Sequence, residues 1–490
     1  MSILKRSAVL MLLAAFTANA AFADDASIVL PEPPAASTEM ILGDSSADQS
    51  QEVTLYFSGE NNLGLTSSTR SIPVRKNESL VENAVAYLLR SRFSENVQSS
   101  AAADVQLIDL EYACGVATVD LSIGSSAQLN DQAELLRCTA IANTLLGIEG
   151  VKAVNILTGS RSDAICSLPI GAFTQLNEAI SASYAQLQSE REDFLTSGIS
   201  GIRRNAVLYF PSSNGYLLPE LRVLDFHSDD YAAVIYEALK AGPTASAQCF
   251  SPIPVGDDLL HSAPFVHVNS AGERILEMSF SSMLPNYLAF SGMEPWQFYG
   301  SIVLSMCSFI PGLDGVRLSI EGAAISECAI GDRIVRFSGD LMRRNDFTAK
   351  IGSSTYLYYN DAEGKLVPVS CPLSQANAAS PKGILSSLIS MPVPAGYTGV
   401  FPEGITADDI LGVELDGGIA NVNLSGSFYA ICQSLNDRQE RSMIYAMVNS
   451  LCELPGIGAA SFRIEGMTLE SLSRNIYLKT HLLPDPGTAE

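Results

Sequence analysis

Hydrophobic and polar positions along this chain follow one order of patterns that occurs three times. Each occurrence opens on a Leu-Tyr-aromatic triplet: Leu55-Tyr56-Phe57, Leu208-Tyr209-Phe210 and Leu357-Tyr358-Tyr359. Alternation with period two predicts a strand there, with one aromatic of each pair in the core and the other outward. A run with helical spacing follows, from Leu80 to Leu89 behind Asn77-Glu78-Ser79, from Tyr231 to Leu239 before Ala241-Gly242-Pro243, and near Lys382 to Ile389. Hairpins come next, turning at Cys114-Gly115, at Asn269 to Gly272 and at Asp416-Gly417-Gly418. A longer apolar helix then runs from about Leu129 to Leu146, Pro295 to Phe309 and Asp437 to Leu454. The closing strands are Val151 to Leu157, Val316 to Ile320 and Ala460 to Ile464. The turns before them nearly match, as Gly147-Ile148-Glu149-Gly150-Val151, Gly312-Leu313-Asp314-Gly315-Val316 and a looser Gly456-Ile457-Gly458-Ala459-Ala460. The first glycine of each is expected to end its helix in a left-handed conformation.

The unit therefore reads strand, helix, strand, strand, helix, strand, which predicts an α+β fold of three tandem two-layer αβ sandwich domains with both helices on one face of a small sheet. The spans are 51–165, 204–335 and 354–480, with a linking helix inside 166–203, a linker at 336–353 and a tail at 481–490. In the first connection Leu176, Ile180, Tyr184 and Leu187 have helical spacing and Ser189-Glu190-Arg191-Glu192-Asp193 a solvated end. The second carries one basic pair, Arg343-Arg344. The free face of each sheet is open to a partner or to a neighbouring unit. A small unit copied without a reactive residue builds surfaces more readily than active sites.

Lys5 and Arg6, an apolar stretch from Ala8 to Phe16 and Ala21-Phe22-Ala23 predict a signal peptide over 1–23, cleaved after Ala23. Residues 24–50, with Pro31-Glu32-Pro33-Pro34, read as a disordered tether. The first cysteine is Cys114, which leaves no lipoprotein anchor near the cleavage site, so a secreted, extracytoplasmic location follows. The net charge of −24 disfavours nucleic acid and anionic membrane surfaces as partners. Proteins with basic patches, or neutral ligands, fit better. Nine cysteines lack any Cys-x-x-Cys pair, and Cys138, Cys307 and Cys452 fall in the three long helices at non-equivalent positions, which suits buried free thiols.

Candidate chemistry is sparse. His227, His261, His267 and His481 do not recur between units, and Pro264 interrupts the segment holding His261 and His267, so no metal site is expected. No Gly-x-Ser-x-Gly elbow occurs, and Ser200 in Gly198-Ile199-Ser200-Gly201 misses the spacing. The carboxylate pairs Asp229-Asp230, Asp257-Asp258 and Asp408-Asp409 are sequence neighbours that point apart, and read as turn residues. Trp296 reads as core. No catalytic, cofactor-binding or metal-binding residue is expected, and no cofactor.

Beyond these readings, the motifs as a set resemble a known family. The triplet, the Pro-containing strand after it (Pro219, Pro368), the Ala-Gly-Pro helix stop, Ile253-Pro254-Val255-Gly256, the hairpin exits such as Val119-Asp120-Leu121-Ser122 and the Gly-Ile-Glu-Gly-Val turn are similar to the GerMN domain of the sporulation and germination protein GerM. The first copy departs from it with Arg90-Ser91-Arg92-Phe93 in place of the Gly-Pro stop. The resemblance implies a fold like that of ring-building modules and a non-catalytic envelope scaffold. It would act in sporulation or germination through contacts with envelope or sporulation proteins, with self-association as a further mode. The alternative is a module binding peptidoglycan or another glycan, which requires an exposed aromatic platform in all three units.

Overall fold

A computed structural model describes residues 49–58, 64–74, 80–90, 105–124, 128–196, 201–212, 214–244, 259–331, 333–454, 456–468, 470–472 and 476–485. The expected signal peptide, and the tether up to its last two residues, lie outside these.

Unit one contains β1 (Gln49–Ser58), β2 (Leu65–Val74), α1 (Leu80–Arg90), β3 (Val105–Ala113), β4 (Val116–Ile123), α2 (Asp131–Leu146), β5 (Ala153–Thr158), β6 (Arg161–Ser162), β7 (Ala164–Ile165) and β8 (Leu168–Pro169), and helix α3 (Ile180–Thr196) follows it. Unit two contains β9 (Ile202–Pro211), β10 (Leu217–Phe226), α4 (Tyr231–Lys240), β11 (Phe265–Val268), β12 (Arg274–Phe280), α5 (Leu284–Ser291), α6 (Pro295–Cys307), β13 (Gly315–Ile320), β14 (Ala323–Ala324), β15 (Glu327–Ile330) and β16 (Arg333–Arg336). Unit three contains β17 (Gly352–Asn360), β18 (Leu366–Ser374), α7 (Gln375–Ala378), α8 (Pro381–Ser390), β19 (Ile410–Asp416), β20 (Ile419–Leu424), α9 (Gly426–Cys432), α10 (Asp437–Cys452), β21 (Ala459–Ile464) and β22 (Met467–Thr468).

The three units are α+β and share one plan. Each opens on an antiparallel hairpin, whose second strand in units two and three is the Pro-containing strand holding Pro219 and Pro368, which the six-element order left uncounted. A separate four-stranded sheet follows, ordered β3-β4-β5-β6, β11-β12-β13-β14 and β19-β20-β21-β22. Its two central strands are parallel and joined by the long helix, because a parallel pair needs a crossover. In unit one the core lies between sheet and helices: Ala117, Val119, Leu121 and Val154 face Val81, Val85 and Leu88 of α1 and Ile141 and Leu145 of α2.

The hairpin stays apart from the sheet because its inner edge pairs with the long helix instead. The N–H of Tyr56 donates to Thr144 Oγ1 at 2.9 Å, that of Tyr209 to Ser305 Oγ at 3.0 Å and that of Tyr358 to Ser450 Oγ at 3.1 Å. All three contacts are buried, so each hydroxyl satisfies a strand donor that would otherwise be orphaned. The same register places Cys307 and Cys452 at one position, two residues past the serine, with only Cys138 elsewhere; this corrects the expectation that all three differ.

Each unit also closes in the same way. The chain returns after the last strand and exchanges two backbone hydrogen bonds with its second residue: Val154 with Phe173, Val316 with Met342 and Ala460 with Leu482. In units one and three an asparagine of the long helix clamps the returning segment. Asn143 Nδ2 donates to the Asn177 carbonyl at 2.8 Å and its Oδ1 accepts from the Asn177 N–H at 3.0 Å; Asn449 does the same with Asp485 at 3.1 and 2.8 Å. Unit two has Leu304 at that position, and another side chain takes over.

Strand register corrects one alignment. Ala153, Gly315 and Ala459 are equivalent, so Gly312 matches Gly150 and Gly456, not Gly147. Those three have φ of 65, 92 and 82°, whereas Gly147 is right-handed at −76°. A side chain at Gly150 would also stand 2.9 Å from the Tyr112 hydroxyl. The left-handed glycine is therefore the one that starts the chain into the strand.

Among the described residues no helix is long and apolar enough to cross a membrane. Ser450→Ala is expected to cost about 1–3 kcal/mol by orphaning the Tyr358 N–H, while Ser450→Thr, the chemistry of unit one, keeps the acceptor. Urea unfolding should show a lower midpoint for the first and a near-normal one for the second.

Candidate functional site

The outer face of the unit-one sheet carries Glu111, Ala113, Val116, Thr118, Ala153 and Asn155, by strand alternation and pairing. All six are buried, because the hairpin of unit two packs on this face and draws Ala113, Val116 and Ala153 into the core of unit two. The expected open face is thus taken by a neighbouring unit.

At the centre of the junction stands Arg344. Its Nη1 and Nη2 donate to the two carboxylate oxygens of Glu111 at 2.6 and 2.7 Å, and Nη2 also donates to the Tyr209 hydroxyl at 3.1 Å. Its Nε reaches Ser308 Oγ at 3.4 Å, which ties the returning segment of unit two to the end of α6 where units one and three use asparagine. Arg344 and Glu111 are only 2% and 6% exposed, so the pair is almost fully out of water. Burial works against the guanidinium charge, but Glu111 and Tyr209 outweigh it and raise its pKa. Burial likewise pushes the Tyr209 phenol up. The fork geometry of arginine suits this bidentate grip.

Beside it a cleft of about 130 Å³ opens between Ser160, Arg161, Asp314, Arg343 and Asn345. Its side chains are engaged with one another: Arg161 with Asp314 at 2.9 Å, Ser160 with Asp120 at 2.7 Å and with Asn345 at 2.9 Å, and Arg343 with Glu273. Unit three joins beside these groups, with the Cys114 N–H on Ser353 Oγ at 3.2 Å and a bridge from Leu217 to Ile351. The arrangement joins bodies, and its one hydroxyl, Ser160, is held between Asp120 and Asn345.

The residues weighed from sequence fall elsewhere. His261 lies 3.9 Å from Glu321 and His267 3.1 Å from Glu277, His227 stands against Gly201, and His481 is exposed. No group of three or more metal-ligating side chains occurs among the described residues. Ser200 and Asp257-Asp258 lie outside the described residues. Asp230 caps α4, accepting from the Ala233 N–H. Asp409 is buried under Ser425, Ser427 and the Thr406 N–H, while Asp408 is exposed. Trp296 is buried, with its indole N–H on Glu294 and Lys350 Nζ 5.3 Å above the ring. The eight described cysteines are free, and burial drives the Cys307 thiol up to about 12, which keeps it unreactive.

The triplet tyrosines Tyr56, Tyr209 and Tyr358 are 9, 0 and 6% exposed, and their aromatic neighbours Phe57, Phe210 and Tyr359 are buried too. Alternation predicted one outward aromatic per pair. The hairpins are covered on both faces instead: Tyr209 lies in one core with Ala113, Val116 and Ala153 of unit one, and the Tyr358 hydroxyl donates to Glu453 at 2.9 Å. These tyrosines form no exposed platform.

A family described as "Germane: Sporulation and spore germination" matches residues 54–162, 207–326 and 356–470, most of the chain and once in each unit. The chain belongs to the Germane family. Among solved structures, the tandem GerMN domains of the sporulation protein GerM from Bacillus subtilis are 17% identical over 58% of this chain and 99% of theirs, with a TM-score of 0.24. The first GerMN domain of that protein is 22% identical over 27% of this chain and 96% of its own, with a TM-score of 0.23. No curated protein matches. The Germane description names a process, sporulation and germination, and no reaction.

Two outcomes test the junction and the buried acid. Arg344→Ala should destabilise the protein by about 3–5 kcal/mol by leaving Glu111 buried and unpaired, whereas Arg344→Met with Glu111→Leu should be close to neutral in thermal unfolding. For Asp409, burial raises the pKa, but hydrogen bonds from Ser425, Ser427 and Thr406 prevail and hold it below the ordinary 3.8. Its contribution is therefore complete above 3.8 and is lost as pH falls through the lower folded value. Asp409→Asn should flatten that acid limb in unfolding titrations.

Proposed function

We propose that this chain is an extracytoplasmic, non-catalytic interaction protein of the bacterial envelope that serves sporulation or spore germination through protein contacts. The observation that carries the reading is that what the three units repeat is buried and structural: the triplet, the helix hydroxyl and the returning segment. What remains for function is therefore surface. The Germane membership supports the process, and Lys5, Arg6 and Ala21-Phe22-Ala23 support export. A net charge of −24 supports partners with basic patches.

Crosslinking in the living cell during spore formation, with identification of the adducts, is expected to yield envelope or sporulation proteins. The recovered chain should begin at Asp24. A deletion strain that completes sporulation and germination normally would overturn the assignment of process. Insoluble cell wall should not retain the purified protein, since the aromatics shared by all three units are buried.

A further inference from the structure

Each four-stranded sheet begins with a strand at its edge: β3, β11 and β19 pair on one side, with β4, β12 and β20. An edge strand offers a row of backbone donors and acceptors to any other strand, and proteins blunt such edges with charges and bulges. Two of the three are blunted in this way. β3 carries Asp109 and Glu111 and a break in register between Leu107 and Asp109, and β19 carries Glu414 and Asp416 and a break between Ile410 and Gly412. The turn after β3 is also tied to unit three, through the Cys114 N–H on Ser353 Oγ.

β11 has neither device. Its Phe-Val-His-Val pairs with β12 without a break, and from Leu259 to Gly272 the chain has no Asp, Glu, Lys or Arg. Phe265, Val266 and Val268 are 56, 36 and 65% exposed. Neighbouring contacts fix which backbone groups are free. The Arg274 N–H donates to Asp314 Oδ2 at 2.8 Å and its carbonyl accepts from the Asp314 N–H at 2.9 Å, so Arg274 faces the β13 side and, by alternation, Ile275 and Glu277 face β11. Val266 and Val268, opposite Leu276 and Arg274, therefore turn their N–H and C=O groups outward, away from β12. Pro264, which has no N–H, limits the free edge to this short strand.

We propose that β11 pairs antiparallel with β11 of a second copy of the chain, Val266 of each opposite Val268 of the other, so that the two unit-two sheets join edge to edge. Each facing pair exchanges two backbone hydrogen bonds about a two-fold axis beside His267. An antiparallel edge is its own complement under two-fold rotation, so a second copy fits it without matched side-chain charges. Every copy carries a net charge of −24, and like-charged copies approach at least cost where the strand itself has no acid. The acids of β12 and its turn are already held, Glu277 by Arg317 at 2.6 Å and Glu273 by Arg343. This inference rests on reading the chain as an interaction protein, and it names one of its partners and the strand used.

Sedimentation equilibrium of the mature chain from about 1 to 300 μM, in 0.15 M salt so that the net charge acts over only about 8 Å, should show a reversible dimer. Val268→Pro removes an outward N–H and leaves the pairing with β12 intact, and Val268→Lys adds the charge that other edges carry; each should weaken the dimer at least about tenfold. Leu415→Lys, on the β19 edge, should leave it unchanged. Amide exchange at Val266 and Val268 should slow as the concentration rises. A monomer across the range, a Val268→Lys variant that dimerises as the parent does, equal weakening by Leu415→Lys, or exchange at β11 that ignores concentration would each overturn the inference. If the chain is monomeric while an extended segment of another protein crosslinks to β11, the second copy falls as the occupant and the interaction reading stands.

Discussion

A hydroxyl on the long helix that accepts the N–H of the triplet tyrosine is the constraint on which the unit depends. A two-stranded ribbon alone is marginal in water, and its inner edge offers donors that must find acceptors once buried. Thr144, Ser305 and Ser450 supply those acceptors from a helix, so hairpin and sheet need not be one continuous sheet. Small side chains on that helix face, with Ala140, Ser301 and Ala446 one turn earlier, let the strand approach closely. In unit two a second hydroxyl joins the contact, Ser301 donating to the Tyr209 carbonyl.

The junction of the units shows how one sandwich docks directly on the sheet face of another. The outer face of the unit-one sheet would be a solvated surface in isolation, with a glutamate among small residues. Docking of unit two removes that glutamate from water, a change that is tolerable only because Arg344 arrives with it and satisfies both oxygens. A buried ion pair adds little net stability against an apolar alternative, but it penalises wrong placements, since any shift leaves two charges stranded. The pair therefore sets the register of one unit on the next. Arg344 also replaces the asparagine clamp of units one and three, so closure of unit two and its attachment to unit one are one event.

Three copies of one fold thus present one face in different surroundings: covered by a neighbour in unit one, neutralised within its own row in unit two, and partly exposed in unit three. Divergence at single positions explains this. Glu277 and Arg317 satisfy each other in unit two, and unit three keeps a glutamate, Glu414, at the position of Glu111. What the three units repeat, the triplet, the helix hydroxyl and the returning segment, is buried.

Much of the plan was legible in the sequence. Period and punctuation place α1, α4, α6, α8 and α10 within a few residues of where they stand, and the three hairpins turn at the glycines read for them, because local backbone chemistry decides those features. The near-identical Gly-x-x-Gly-Val strings invited an alignment three residues out for unit one, since likeness of letters cannot distinguish a helix-ending glycine from the left-handed one that starts the strand. Arg343-Arg344 stood out as a basic pair, while Glu111 did not, as an acid at an outward strand position reads as solvated. The sequence by itself determined the repeated α+β unit and its elements. Only the tertiary structure decided that the triplet tyrosines are buried on both sides, that the open face of unit one becomes a core, and that Glu111 and Arg344 meet. Those outcomes depend on contacts between residues far apart in the chain, 135 positions for Tyr209 and Arg344 and 233 for Glu111 and Arg344, which no local pattern encodes.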